Sequence, residues 1–273
     1  MRVLNIDLDF FLNDRVMRRP DNPSNRPDDL GLVPWPAYEV TKFLEKSLNF
    51  ICKTPGRIVQ SHHEVFYLWR DLVEQNQLTV PFAITHVDAH SDLGCGMPGW
   101  DYLHSDFLEL PLDARRRPLE GEWGLNFASY MAFAIGNRWF SEIDFIVPPY
   151  WQDDIPLPFL VPNAPLYKPG VTLNIEMMYA CRAEIQACIN GSKRFADVRR
   201  SIGEPNIPLN IIAQAAVAGR YTEHNWDYVF LARSPGYTPT SADALIPVIA
   251  RYIDSENLDV RMGKARTTVG RRA

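Results

Sequence analysis

The segment FAITHVDAHSD (residues 82–92) joins an apolar run directly to a cluster of ionisable side chains. Phe82–Val87 has the length and apolar content of a buried β-strand. After it, Asp88, His90 and Asp92 recur at every second position, so in an extended chain they project to one side. The small residues between them allow close approach. We therefore expect a strand whose carboxyl end presents metal-binding or catalytic groups.

Two other predicted strands end in the same way. The opening segment VLNIDLD (residues 3–9) runs into Asp7 and Asp9, and the segment RIVQSHHE (residues 57–64) runs into three further polar side chains. Those three are His62, His63 and Glu64. Because ligands bind beyond the carboxyl ends of strands in open α/β sheets, the three groups are expected to converge on one place.

Strand-like and helix-like segments alternate along the chain, which is typical of a mostly parallel sheet covered by helices on both faces. The predicted strands are Val3–Leu8, Arg57–Gln60, Phe82–Val87, Ile143–Val147, Val171–Ile175 and Tyr228–Ala232. The predicted helices are Trp35–Cys52, Glu64–Asn76, Asn126–Trp139, Met177–Ile189, Leu209–Ala218 and Ala242–Ile253. The fold class is therefore α/β, a three-layer α/β/α arrangement. We expect a single domain over residues 1–262 and a flexible basic tail over residues 263–273.

Composition narrows the class of protein. The 273 residues are 46% hydrophobic and 22% charged, with a net charge of −5, which argues against a nucleic-acid partner because phosphate binding needs clustered Lys and Arg. No stretch reaches the roughly 20 apolar residues of a membrane span. The acidic opening is unlike a signal peptide, and four dispersed cysteines are typical of free thiols. We expect a cytoplasmic protein without a membrane partner.

Clustered carboxylates favour a pair of metal ions. Four carboxylates in one crevice repel one another and raise their own pKa values, and two dications remove that repulsion. Together with two imidazoles they form an oxygen-rich donor set that suits Mn²⁺ better than thiolate-preferring metals, although other divalent cations such as Zn²⁺ or Fe²⁺ stay open. Two such ions make a shared water nucleophilic. The corresponding reaction is hydrolysis of a C–N bond at a planar centre such as a guanidinium or an amide.

The same motifs resemble those of the ureohydrolase superfamily, the arginases, agmatinases and relatives with the arginase–deacetylase fold. HVDAHSD (residues 86–92) is similar to the DAHxD motif, IDLD (residues 6–9) to the later DxD motif, and the Ser61-His62 pair to the end of the GGDH motif. The resemblance implies two metal ions, each held by its own set of ligands. The first set would be His62, Asp88, Asp92 and Asp7; the second would be His90, Asp88, Asp7 and Asp9.

The order of the motifs differs from that of true arginases. Here DxD precedes DAHxD and the GGDH glycines are absent, which implies a permuted strand order around a similar site. The chain is more similar to a branch of the fold marked by IDLDFF (6–11), HHEV (62–65), HVDAHSDL (86–93) and ARS (232–234), over most of its length. That register favours His62 over His63 as the ligand, a choice that the sequence leaves open. Members of this branch include peptide arginases, which convert arginine side chains of a ribosomal precursor peptide to ornithine and release urea.

Other residues are candidates for supporting roles. A carboxylate at Glu64 could hold a guanidinium through paired hydrogen bonds, or could be a first-turn acid favoured by the helix dipole. His104 could protonate the leaving amine, or be an ordinary loop histidine. Loops Gly94–Asp101 and Ser234–Pro239 are suited to shaping a substrate mouth, and Tyr150–Asp154 adds aromatic and acidic groups that could grip a peptide.

The leading hypothesis is a Mn²⁺-dependent hydrolase whose partner is an arginine-containing precursor peptide. A second is a hydrolase for free arginine, agmatine or another small guanidino compound, or an amide deacetylase. A third is a non-catalytic binding module stabilised by metal. Clustered carboxylates argue against the third, because buried repelling charges cost stability unless they serve a site.

Overall fold

The structure, a computed structural model, describes residues 1–14, 16, 26–28, 31–156, 160, 169–170, 172–194, 197–198, 202–223 and 226–263. Apart from its first residue, the tail expected at 263–273 lies outside the described residues. The strands are β1 (Arg2–Asp7), β2 (Thr54–Val59), β3 (Phe82–Val87), β4 (Phe140–Val147), β5 (Thr172–Ile175), β6 (Met178–Tyr179), β7 (Ile202–Gly203), β8 (Ile207–Ala213), β9 (Tyr228–Ala232) and β10 (Ile253–Asp254). The α-helices are α1 (Ala37–Lys42), α2 (Glu64–Glu74), α3 (Gly96–Ser105), α4 (Tyr130–Gly136), α5 (Arg182–Ile189), α6 (Ile246–Ala250) and α7 (Ser255–Arg261).

Eight of these strands form one sheet in the order β10-β2-β9-β1-β3-β4-β8-β5. Every neighbouring pair is parallel except β5 and β8, which are antiparallel. The short β6 and β7 pair separately. The N-terminal strand β1 therefore lies inside the sheet, with β9 on one side and β3 on the other. The predicted α/β class with a mostly parallel sheet is confirmed.

Side chains alternate between two cores on the two faces of the sheet, as the period of a strand requires. Along β9, Tyr228 and Phe230 belong to the core that includes residues of α2, α3 and α4, whereas Val229 and Leu231 belong to the core beneath α1 and α6. Because both faces are covered, the strands are apolar almost throughout. This arrangement is consistent with three layers.

Three local predictions are wrong. Leu209–Ala218 is not a helix: its first half belongs to β8, where β-branched Ile211 and Ile212 pack on opposite faces, and only a 3-10 turn follows. The helix expected over Met177–Ile189 begins later, at Arg182, after the short strand β6. The predicted loop Gly94–Asp101 is mostly the first part of α3.

No helix within the described ranges combines the length and apolar character that a bilayer crossing requires.

Candidate metal centre

Five adjacent parallel strands deliver polar side chains to the carboxyl edge of the sheet. In spatial order they are β2, β9, β1, β3 and β4. The residues at or just beyond their ends are His62 after β2, Ser234 after β9, Asp7 and Asp9 at β1, Asp88, His90 and Asp92 after β3, and Tyr150 and Asp154 after β4. The structure therefore brings together all six predicted metal ligands, because parallel neighbours end at the same edge.

The first group of ligand atoms surrounds His62. Its Nδ1 lies 3.1 Å from Asp7 Oδ2, 2.9 Å from Asp88 Oδ2 and 3.0 Å from Asp92 Oδ2. These side chains are almost completely buried, with His62 and Asp7 each 3% exposed and Asp88 1% exposed. Three carboxylates and one imidazole thus converge from the ends of three different strands.

The second group shares Asp88 with the first. His90 Nδ1 lies 2.8 Å from Asp9 Oδ2 and 3.8 Å from Asp88 Oδ1. Asp9, Asp88 and His90 each present a ligand atom within 4.8 Å of the others. The two oxygens of Asp88 therefore lie near two different histidines, and Oδ1 also accepts a hydrogen bond from His90 N at 2.8 Å.

Unsatisfied polar atoms in the first group fit a cation better than hydrogen bonding. Both nitrogens of His62, Asp88 Oδ2 and Asp92 Oδ2 are buried without a hydrogen-bond partner, although His62 Nδ1 and the oxygens are about as close as hydrogen-bonded atoms. Buried polar groups are otherwise nearly always paired. His62 Nδ1 lies 2.9–3.1 Å from three carboxylate oxygens, a spacing that ligand atoms around one cation would have. The residues present fit a divalent metal.

Electrostatics support the same interpretation. Burial, followed by repulsion from the other carboxylates of the cluster, raises the pKa of Asp88 well above its usual range. Burial likewise raises the pKa values of Asp7 and Asp92. Burial lowers the pKa of His62, but the adjoining carboxylates outweigh it and raise that pKa well above its usual range. These surroundings favour the protonated forms of Asp7, Asp88, Asp92 and His62, so metal binding there would compete with protons. Asp9 differs, because the adjacent His90 outweighs burial and lowers its pKa.

His86 lies beside the metal ligands and supports them. It is 1% exposed, its ring stacks on Phe145 with centroids 5.3 Å apart, and its Nε2 lies 3.1 Å from the His90 carbonyl oxygen. Asn5 Nδ2 lies 3.5 Å from the other nitrogen, Nδ1, so Nε2 is the atom that carries the proton. His86 also comes within ligand distance of Asp88 and His62, but a protonated Nε2 cannot coordinate a metal. It instead supports the backbone of the ligand segment through the His90 carbonyl oxygen, and its Nε2 lies 3.3 Å from Asp88 Oδ2 without a hydrogen bond to it.

Ser234 holds the carboxylate of Asp7. Its Oγ donates a short hydrogen bond to Asp7 Oδ2, and the backbone of Ser234 is in the left-handed region with φ +44°. Asp92 also has a positive φ, of +51°. Such conformations are costly for residues other than glycine and persist where the surrounding structure enforces them, often at functional sites. Both residues owe the direction of their side chains to this backbone geometry.

A cavity of about 320 Å³ opens over the cluster. It is lined by all six predicted ligands, by Gln60, Ser61, Ser91, Gly94, Phe127, Ala128 and Asp154, and by the segment Ser234–Tyr237. Tyr237 packs against His90 with ring centroids 4.8 Å apart and against Phe127 at 5.9 Å. The loop after β9 thus forms an aromatic part of the wall beside the ligands, and the cavity is large enough for the end of an extended side chain.

The segment after β4 closes another part of the wall. Tyr150 donates a hydrogen bond from its hydroxyl to the Asp9 carbonyl oxygen at 2.9 Å. Asp154 lines the cavity, and its Oδ2 accepts a hydrogen bond from Ser91 N at 3.0 Å. The segment from Tyr150 to Asp154 is therefore attached directly to the backbone of the metal-ligand segments.

The side chains of Glu64 and His63 contact Ser61 and do not line the cavity. Glu64 is not among the residues that line the cavity, and its Oε1 accepts a hydrogen bond from Ser61 N at 2.8 Å. His63 Nδ1 lies 2.9 Å from Ser61 Oγ. Glu64 thus stabilises the turn that presents His62, and its position gives no support to the predicted contact with a guanidinium.

The turn role of Glu64 can be tested with two substitutions. Glu64→Gln keeps an oxygen that can accept from Ser61 N, so we expect little change in metal affinity or stability. Glu64→Ala removes the acceptor and is expected to cost about 1 kcal/mol of unfolding free energy. Denaturant unfolding and metal titration of both variants would measure this. A large loss of substrate affinity in Glu64→Gln, with normal metal binding, would instead support contact with substrate.

His104 lies on α3 and is fully buried, with its ring stacked on Trp100 at 5.3 Å between centroids. It is not among the residues that line the cavity. Its predicted role as a proton donor therefore gains no support from its position. Its site belongs to the packing between α3 and the segment after β6, where its carbonyl oxygen accepts from Ala180 N.

In comparisons with known proteins, no protein-family model, curated protein or solved structure matches the chain.

Proposed function

We propose that this protein is a binuclear metal-dependent hydrolase that converts arginine side chains of a peptide to ornithine with release of urea. The observation that carries the proposal is the position of Asp88 between two histidines. Its Oδ2 lies 2.9 Å from His62 Nδ1 and its Oδ1 lies 3.8 Å from His90 Nδ1. Asp88 thereby belongs to both groups of candidate ligands, the second of which is completed by Asp9 and His90.

The ligands divide into two sets under this proposal. His62, Asp7 and Asp92 would hold one ion, His90 and Asp9 the other, and Asp88 would contact both. The resemblance also implies Asp7 as a ligand of the second ion, but Asp7 is assigned here to the first because its Oδ2 lies 3.1 Å from His62 Nδ1. Mn²⁺ is the preferred occupant because four carboxylates and two imidazoles are hard donors. When bound, a pair of dications supplies a nucleophilic water at neutral pH and polarises the carbon that it attacks.

The chain's own residues would position the substrate and the ligands. Ser234 would fix the orientation of Asp7, and His86 would hold the backbone of His90, so little rearrangement is needed when charge develops. The aromatic rings of Phe127 and Tyr237 would flank an inserted side chain and exclude water from it. A long side chain of a peptide can enter such a cavity while the peptide backbone stays outside.

The preference for a peptide rather than a free amino acid follows from the motif resemblance. Its test is urea release by Mn²⁺-loaded protein from an arginine-containing peptide and from free arginine, with chelated protein as the control. We expect urea and an ornithine-containing peptide from the first substrate and much less urea from the second. Urea from free arginine alone would contradict the peptide preference.

Absence of urea from every guanidino substrate, in protein shown to contain two metals, would contradict the arginase chemistry. Acetyl-lysine peptides are the next substrates to try in that case, because an amide carbon is attacked in the same way.

A further inference from the structure

We propose that Arg26 is a positioning residue for the metal centre, which holds the turn of residues 234–238 in the conformation that directs Ser234 at the ligand Asp7. This role deepens the function proposed above and depends on it only for the metal at that centre, not for the reaction. Three features support it: the hydrogen bonds of the Arg26 guanidinium, the closed turn that it contacts, and the positive φ of Ser234.

The guanidinium of Arg26 contacts the end of the turn through several hydrogen bonds. Its Nε donates to the Thr238 carbonyl oxygen at 2.9 Å, and its Nη2 lies 3.0 Å from Thr238 Oγ1 and 2.9 Å from the Pro239 carbonyl oxygen. Nη1 and Nη2 also pair with the two carboxylate oxygens of Asp243, at 2.8 and 3.1 Å. Hydrogen bonding to Arg26 lowers the pKa of Asp243, so this carboxylate is charged at neutral pH and holds the guanidinium in place. Arginine is the side chain that combines these donor directions with a permanent charge.

Thr238 transmits the contact to the rest of the turn. It is fully buried, and its hydroxyl group has a single proton, which is directed at the carbonyl oxygens of Arg233 at 2.8 Å and Ser234 at 3.0 Å. The hydroxyl oxygen is then the acceptor for Arg26. The backbone amides of Tyr237 and Thr238 both donate to the Ser234 carbonyl oxygen, at 2.8 and 3.0 Å. The turn is therefore closed at Ser234 and is fixed from outside at Thr238.

The turn has a strained conformation that places two side chains against metal ligands. Ser234 has a φ of +44°, which is costly for a residue with a side chain and has to be enforced by its surroundings. In this conformation Ser234 Oγ donates to Asp7 Oδ2, and the Tyr237 ring packs on His90 with centroids 4.8 Å apart. Without Arg26, Ser234 is expected to relax toward a negative φ, which turns its hydroxyl away from Asp7.

This role predicts a change in metal affinity that is opposite in sign to a purely electrostatic effect. Arg26→Ala removes a positive charge, which by itself should strengthen the binding of a cation. Loss of the positioned Ser234 hydroxyl should instead weaken Mn²⁺ binding by about 10-fold, the lower end of the effect of removing a group that orients a ligand. Thr238→Val should weaken it in the same direction, because it removes a hydroxyl without changing the charge. Thr238→Ser keeps the hydroxyl and should retain normal binding.

Arg57 provides a matched control. Its side chain is 27% exposed, compared with 20% for Arg26, and it also forms an ion pair with a partly exposed carboxylate, that of Asp259. Arg57 is not among the residues that line the cavity. Arg57→Ala therefore removes a comparable ion pair from outside the turn, and we expect it to leave the Mn²⁺ affinity within about twofold of that of the unsubstituted protein.

A double-mutant cycle on Mn²⁺ affinity tests whether Arg26 acts through Ser234. Titration calorimetry compares the unsubstituted protein, Arg26→Ala, Ser234→Ala and the double variant, and Tm of each reports on folding. Arg26→Ala should weaken binding by about 10-fold when Ser234 is present, and by no more than about twofold once its hydroxyl is removed. A further loss of about 10-fold in the double variant would show that the two residues act independently and would overturn the proposed role. If Arg26→Ala does not fold, Thr238→Val takes its place in the cycle, with Thr238→Ser as its control.

Hydrogen exchange of the metal-free protein is the second measurement. The amides of Tyr237 and Thr238 should exchange faster in Arg26→Ala than in Arg57→Ala, because only the first variant releases the turn. Unchanged exchange of these amides would contradict the positioning role, and so would a Mn²⁺ affinity that stays the same or increases in Arg26→Ala. Mn²⁺ binding that depends on Arg26 in a protein that releases no urea would uphold this role and contradict the proposed reaction.

Discussion

Asparagine in place of Asp88 is expected to lower the affinity for divalent metal by more than about 100-fold and to abolish turnover. Loss of a group that only supports a metal ligand costs about 10–100-fold. Asp88 is expected to be a ligand of both ions, since its oxygens face His62 and His90. An amide removes the charge and places a nitrogen donor toward one of the two ions. Metal analysis after gel filtration and urea release measure the two effects.

In the metal-free protein, the same substitution is expected to increase thermal stability. Burial and the other carboxylates raise the pKa of Asp88, which means that its charged form is destabilised by its surroundings. The neutral amide removes that repulsion, so metal-free Asp88→Asn is expected to melt at a higher temperature than the metal-free parent at pH 8. Asp101→Asn is the control, since Asp101 is also buried but is not among the lining residues. A melting temperature that falls in both states would contradict a functional role for the clustered charge.

Metal should stabilise the protein strongly, and more so at higher pH. A ligand present at 100 times its Kd contributes about 2.7 kcal/mol, so two such ions are expected to raise Tm by on the order of 10 °C in a domain of this size. Protons compete with metal for carboxylates and imidazoles, so this gain should increase from pH 6 to pH 8.

Without metal, the stability of the protein should instead decrease as pH rises. The pKa values of Asp7, Asp88, Asp92 and His62 are raised in the folded chain, so folding favours their protonated forms. Burial lowers the pKa of His86 and the adjacent His90 lowers that of Asp9 against the effect of burial, so these two groups act in the opposite direction, and the prediction is that the four raised groups outweigh them. The stability that the four raised groups contribute is present at low pH and is lost as pH rises through their folded pKa values. Tm of the chelated protein is therefore expected to be higher at pH 6 than at pH 8. Calorimetry of both forms at the two pH values measures this, and equal slopes would contradict it.

Much of this arrangement could be predicted from local sequence. Apolar runs that end in ligand-type residues locate the ends of β1, β2 and β3, and parallel pairing then brings those ends together. The failures arise where tertiary context outweighs the local pattern. Leu209–Ala218 has helix-like composition at its end, yet Ile211 and Ile212 are buried on opposite sides of a strand between β4 and β5.

The supporting residues were harder to predict than the ligands. Ser234 belongs to the ARS motif (232–234). Its hydrogen bond to Asp7, however, depends on the pairing of β9 with β1 and on a positive φ at Ser234. Neither feature is visible in the sequence. Asp154 lay in a segment with several acidic and aromatic groups, and only the fold distinguishes it from Asp153. Conversely, Glu64 and His104 have suitable chemistry but lie outside the cavity lining, because a helix turns each of them away.

Anomalous diffraction from crystals grown with Mn²⁺ tests the central claim most directly. We expect two peaks at the carboxyl edge of the sheet, on either side of Asp88. One should be ligated by His62, Asp7 and Asp92, and the other by His90 and Asp9. A single peak, or peaks only on the protein surface with the cluster left empty, would contradict a binuclear centre and with it the hydrolytic function proposed for this protein.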